Sequence, residues 1–145
     1  MPKSVLIDTN ILLDAAMSER PDHGYAIMLF DEAVYSGLAI YVSATSYKDV
    51  YYVLSKYASE PDSRSYIANL LKITKPIAVD AACMQIAITS NEPDFEDGIV
   101  RACAERQSVD AIISRDNGAF AHSAIPAYSA KEYVELFCDT VEVAF

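Results

Sequence analysis

Four aspartates, Asp8, Asp49, Asp97 and Asp116, stand at places along the chain where a carboxylate can act on a substrate. Asp8 closes the apolar run Ser4-Val-Leu-Ile-Asp8, and Asn10 follows two positions later, so an extended backbone turns both side chains to one side. Asp49 lies in a helical stretch whose apolar stripe includes Val50, Val53, Leu54 and Tyr57. At ~100° per residue it projects only ~40° from Val53 and borders the buried face. Asp94-Phe-Glu-Asp97 opens a helix after a polar break, with Asp97 three and seven residues before Val100 and Ala104. Asp116 follows the apolar run that ends at Ser114.

Each acid also has a plain structural use. Asp8 or Asn10 can cap a helix, Asp49 can be a solvated surface acid, Asp94 is a good N-cap, and Asp97 complements a helix dipole. Asp116-Asn-Gly118 favours a turn. Gathered in one place, however, the acids would do something else. Two unit charges ~4 Å apart repel by about 4 kcal/mol at an effective dielectric near 20, so clustered carboxylates stay ionised only with a cation among them. An all-oxygen set suits Mg²⁺ or Mn²⁺, which can ionise a water, align it with a phosphodiester and stabilise the leaving oxygen. No His or Cys nucleophile is needed, and the chain has two His.

What could bring them together is an alternation of short apolar runs with helix-spaced segments. Ser4–Asp8 reads as a strand and Asn10–Met17 as a helix; Glu19–Gly24 breaks the pattern, and Tyr25–Ser36 returns to helical spacing before Gly37. Ala39–Ser43 is a second strand, with Thr45 capping a helix to about Ala58, and Pro61 and Asp62 open another to about Thr74. Pro76–Val79 is a third strand, followed by helices over Asp80–Ser90 and from Asp94 to about Gln107. Asp110–Ser114 is a fourth strand and Ile125–Tyr128 a short fifth, before a helix from Ala130. Parallel neighbours need such crossovers, so the expected fold is a three-layer α/β/α sandwich with a central parallel sheet of four to five strands. Ligands in open sheets of this kind bind at the carboxyl ends of strands.

With 145 residues, one domain spanning 1–145 is expected. The composition, 52% hydrophobic and 22% charged with four Gly and six Pro, argues against a disordered tract. No apolar run approaches the ~20 residues that span a bilayer, and the start reads as a strand rather than a signal sequence, so a cytoplasmic protein is expected. Cys83, Cys103 and Cys138 lie in apolar segments without close pairing and read as core residues in a reducing compartment. The net charge of -10 opposes phosphate binding unless bound cations or an uneven charge distribution offset it. Lys48, Arg101, Arg106 and Arg115 lie near the proposed acids and could contact phosphate; their plain reading is solvated helix charge.

Taken in order, Val-Leu-Ile-Asp8-Thr-Asn10-Ile-Leu-Leu-Asp, Val-Ser-Ala-Thr-Ser-Tyr-Lys-Asp49, Asp94-Phe-Glu-Asp97 and Asp110-Ala-Ile-Ile-Ser-Arg-Asp116 resemble the PIN domain family over nearly the whole chain. The resemblance implies a Mg²⁺- or Mn²⁺-dependent endoribonuclease, of the kind that serves as the toxin of a toxin-antitoxin pair. On it, Asp8, Asp97 and Asp116 match the metal-binding aspartates, and Asp49 stands where the family usually has Glu. Asn10, Asp94 and Ser114 match supporting positions, Arg115 adjoins them, and Ala119 stands where one subfamily often has Asp.

Two other readings share these residues. An aspartyl-phosphate phosphatase would use Asp8 as nucleophile, but Asn10 replaces the usual second acid and no Lys follows a late strand suitably. A PIN-like module that only binds a protein or RNA is the other, supported by Asp49, Ala119 and the charge. The tyrosine-rich helices Tyr25–Ser36 and Thr45–Tyr57 suggest a homodimer or an antitoxin groove, or tyrosines that simply pack with their hydroxyls outward.

Overall fold

The computed structural model describes residues 1–116 and 118–138. Asn117 of the expected Asp116-Asn-Gly118 turn, and residues 139–145 of the expected domain, lie outside the described residues.

Five strands form one wholly parallel sheet: β1 (Ser4–Ile7), β2 (Ala39–Ser43), β3 (Lys75–Ile77), β4 (Ala111–Ile113) and β5 (Ala127–Tyr128). Their order is β3-β2-β1-β4-β5, which puts β1 at the centre. Leu6 pairs with Tyr41 on one side and with Ile112 on the other. Seven helices connect and follow them: α1 (Thr9–Ala16), α2 (His23–Tyr35), α3 (Ala44–Leu54), α4 (Glu60–Ile73), α5 (Ala81–Ile88), α6 (Phe95–Gln107) and α7 (Ala130–Phe137).

Successive side chains on a strand point to opposite faces, and both faces here are buried, which is why β1 and β4 are continuous apolar runs. Val5, Ile7, Ile40, Val42, Ala111 and Ile113 pack with residues of α1, α2, α3, α4 and α7. Leu6 and Ile112 face the other way, onto Cys83 and Ala87 of α5 and Ile99, Val100 and Cys103 of α6. The fold is therefore the expected three-layer α/β/α sandwich, with five strands. Among the described residues no helix is long and apolar enough to cross a membrane.

Boundaries shift where side chains find other work. The third strand begins at Lys75 and ends at Ile77, with Pro76 tolerated because β3 is an edge strand. Asp110 stays outside β4; its carboxylate accepts the N–H groups of Lys3 and Ser4 at 2.8 and 3.1 Å and anchors the chain's start. Thr45 does not cap α3, which starts at Ala44 with Ser43 in the cap position and no side-chain bond. Gly98 lets α6 lie close on α5: a Cβ there would meet Ser90 Oγ at 2.8 Å and Ala87 Cα at 2.9 Å.

Candidate active site

The carboxyl ends of β1, β2 and β4 open onto one cleft of ≈ 170 Å³, lined among others by Asp8, Asn10, Asp49, Asp94, Asp97 and Asp116. That is room for several water molecules, enough for a partly hydrated ion. The strand order explains the meeting: β1 and β4 are neighbours, so Asp8, directly after β1, and Asp116, three residues past the end of β4, share an edge.

Three helices begin around the cleft, and their N-termini contribute partial positive charge that offsets the crowded acids. Asp8 is the N-cap of α1 and accepts the Ile11 N–H at 3.2 Å. Its other oxygen accepts the Ser114 hydroxyl at 2.6 Å, and Ser114 in turn accepts the Asp116 N–H at 3.1 Å. One hydroxyl thus couples the ends of β1 and β4. Asp94 is the N-cap of α6 and accepts the Asp97 N–H at 2.8 Å. Capping and cleft-lining are both realised at these two positions.

Asp97 departs far from an ordinary acid. Its Oδ2 is buried and has no hydrogen-bond partner among the described residues. Burial, together with the charges of Asp94, Asp116 and Asp8, pushes its carboxyl up from 3.8 to about 7. Burial also raises Asp8, against the opposing pull of the Ser114 hydroxyl and the Ile11 amide. Both shifts have the sign expected of carboxyls short of positive partners.

Among the described residues no group of three or more His, Cys, Asp or Glu side chains is drawn together so as to hold a metal ion. Each acid is engaged locally instead: Asp8 and Asp94 as caps, Asp49 with Lys48 Nζ at 3.3 Å, and Asp116 with the Gly118 N–H at 2.9 Å. Asp97 Oδ2 is left over. An all-oxygen lining with one orphaned, desolvated carboxylate oxygen suits a hard divalent cation better than it suits the bare protein.

Asn10 reaches the cleft by a different route from that expected, since the backbone turns helical at Thr9 and places it in the first turn of α1 rather than on an extended strand. Asp49 reaches it from the exposed flank of α3. Arg115 does not line it. Its guanidinium lies 3.6 Å from Asp14 on the α1 side of the sheet, where Arg20 also binds Asp14 at 3.2 Å. Arg101 and Arg106 are likewise committed elsewhere, to Glu92 with Glu105 and to Asp80.

Several residues were not singled out from sequence. Glu96, Thr9, Ser43 and Ser46 also line the cleft; Thr9 donates its hydroxyl to Ser46 at 3.0 Å, and the Ser43 hydroxyl is buried without a hydrogen-bond partner among the described residues. Their place at strand ends and in first helical turns was the available signal. Asp14 closes the quoted Asp8 motif, yet it is 1% exposed and its Arg20 and Arg115 contacts are beyond local sequence.

The structure resembles those of several toxin-antitoxin proteins. It matches Mycobacterium tuberculosis VapC20, a sarcin-ricin loop cleaving toxin, with a TM-score of 0.61 and 14% identity over 74% of this chain and 86% of that one. A toxin-antitoxin complex from Klebsiella pneumoniae gives 0.62 and 20% over 87% and 97%. VapBC2 from Rickettsia felis, bound to a DNA fragment from their promoter, gives 0.60 and 15% over 87% and 98%. No curated protein matches the chain. At these identities the likeness speaks to the fold. A family model described as PIN domain matches residues 4–118, from β1 through the Asp116 turn, and the chain belongs to the PIN domain family.

Proposed function

We propose that the protein is a divalent-metal-dependent endoribonuclease, with Mg²⁺ or Mn²⁺ held by Asp8, Asp97 and Asp116. The observation that carries this reading is Asp97, whose orphaned Oδ2 and carboxyl raised to about 7 sit at the junction of Asp94, Asp116 and Asp8. A bound cation supplies Lewis-acid activation of water and neutralises charge on the phosphodiester. Asp8, Asp97 and Asp116 would hold the cation as carboxylates, which requires Asp97 to lose the proton that its raised carboxyl favours. Ser114 holds Asp8 in the ligating orientation through its 2.6 Å hydrogen bond. Asp49 and Asp94 orient water at the rim, while Asn10 and the first-turn hydroxyls accept or donate to the phosphate. RNA is the proposed substrate class, and a sarcin-ricin loop cleaving toxin has a similar fold.

The biological role proposed is that of the toxin in a toxin-antitoxin pair, acting in the cytoplasm, supported by complexes of that kind among the similar structures. Tyr35, Tyr52 and Tyr57 are exposed by 85, 62 and 74%, more aromatic surface than an isolated domain need show. We assign this surface to protein contact, with a second copy or with an antitoxin.

Cleavage of single-stranded and structured RNA, titrated with Mn²⁺ and quenched with EDTA, tests the activity. Cleavage that needs the metal and is lost in Asp97→Asn is expected. A folded protein that binds RNA or an antitoxin without cutting would support instead the reading as a binding module, and efficient hydrolysis of simple phosphomonoesters would support a phosphatase.

A further inference from the structure

Glu92, Arg101 and Phe120 join the two parts of the chain that carry Asp97 and Asp116. Glu92 sits between α5 and α6 with its carboxylate side chain 1% exposed, a burial that a charged group tolerates only with partners. It has two: Arg101 Nη1 donates to one oxygen at 3.0 Å, and the Phe120 N–H donates to the other at 2.6 Å. Arg101 uses the rest of its fork nearby. Nη2 donates to the His122 carbonyl at 3.0 Å, Nη1 also to Asn91 Oδ1 at 2.9 Å, and Nε to Glu105 Oε2 at 3.2 Å. That Glu105 oxygen accepts the Ser123 hydroxyl at 2.9 Å. The segment after Asp116 is thereby fastened to α6 at His122 and Ser123, and through Glu92 at Phe120.

The fastening works against a backbone preference. Phe120 has φ of 68°, in the left-handed region that side chains with a Cβ rarely adopt, while its ring is buried on the α5–α6 side of the sheet. The Glu92 carboxylate and the buried ring hold it there. On α6, Asp97 and Arg101 are one turn apart and share a face, so one helix presents an acid to the cleft and, a turn later, grips the loop that carries the opposing acid. Neither Glu92 nor Arg101 lines the cleft.

We propose that Glu92 and Arg101 are positioning residues that fix the segment after Asp116 against α6, and so hold Asp116 on the cleft that Asp97 also lines, where a divalent cation would bind. This rests on the metal-dependent reading given above. It assigns a task to a buried ion pair that the cleavage chemistry does not use, and it demands arginine, since a lysine ammonium cannot reach Glu92, His122 and Glu105 in one plane.

Glu92→Gln, which keeps an acceptor for Phe120, and Arg101→Lys, which keeps the charge, test it beside a control, Arg64→Lys, at the exposed Glu60 pair. Two quantities are read: amide exchange over residues 118–123 without metal, and Mn²⁺ affinity by paramagnetic resonance of the free ion. The expected result is folded variants with faster exchange and a Mn²⁺ dissociation constant raised by roughly 10- to 100-fold, the usual loss when a ligand's support is removed. The control should change neither. Folded variants with parental exchange, or with parental Mn²⁺ affinity, overturn the proposal. If the parent protein binds no Mn²⁺, the metal reading fails by itself; faster exchange in the variants would then still support the joint, and unchanged exchange would remove it.

Discussion

Ser114 Oγ stands 2.6 Å from Asp8 Oδ2, so that the residue following β4 donates its proton to the residue following β1 across 106 positions of sequence. The same oxygen accepts the Asp116 amide, and Asp116 carries the next acid of the cleft. A single hydroxyl therefore sets the orientation of one acid and the backbone of another.

Replacing Ser114 by Ala removes the hydrogen bond that opposes the upward shift of Asp8. Asp8 then holds its proton to higher pH. The acid limb of the metal-dependent cleavage profile should move to higher pH, with activity lost on that limb and little change at the alkaline end. A profile that stays in place would show that Ser114 does not act through Asp8.

For Asp97 the sign of the stability effect follows from its raised carboxyl. Between the ordinary 3.8 and about 7 the folded protein keeps a proton that the unfolded chain releases, so this group's contribution to stability is lost as pH rises through about 7. Asp97→Asn should abolish metal-dependent cleavage and, without metal at pH 8, raise the melting temperature by about 4 °C, the change that roughly 1 kcal/mol produces in a domain of this size. Solvent reaches part of the side chain, and the figure is discounted accordingly. The gain should vanish near pH 4; a gain equal at both pH values would assign it to packing rather than charge.

Gly98→Ala places a methyl group within 3.0 Å of Ser90 Oγ and the Ala87 backbone. Backbone cannot rotate aside as a side chain can, so α5 and α6 must separate. A loss of about 1–3 kcal/mol is expected in chemical denaturation, the range for overpacked interiors. Unchanged stability would mean that the interface gives more freely than its geometry suggests.

Asp14 makes a useful contrast with the cleft acids. It is buried, its Oδ1 faces Arg20 and Arg115 and its carbonyl is bonded to His23 Nδ1, while its Oδ2, like that of Asp97, has no hydrogen-bond partner among the described residues; unlike Asp97 it does not line the cleft. Asp14→Asn should lower stability by about 2 kcal/mol, the scale of hydrogen bonds to a charged group, while cleavage per folded molecule persists. Abolished cleavage in a stably folded variant would move Asp14 into the working site.

Much of this molecule is legible in its sequence. The alternation of apolar runs with helix-spaced segments yields five strands and seven helices, and Asp8, Asp94 and Asp116 fall at element ends because capping and strand termination are local events, decided by neighbours a few residues away. The sandwich followed from the same local pattern. What only the tertiary structure decided is which groups meet. The placement of β1 between β2 and β4 brings Asp8 to Ser114 and Asp116, and the packing of α6 on α5 turns Arg101 toward Glu92 and away from the cleft. Asp14 and Asp8 look alike in sequence, six residues apart at the two ends of one motif, yet one is sealed in an ion pair and the other lines the cleft. That division depends on which helix face the sheet covers, a choice made by contacts between residues far apart in the chain.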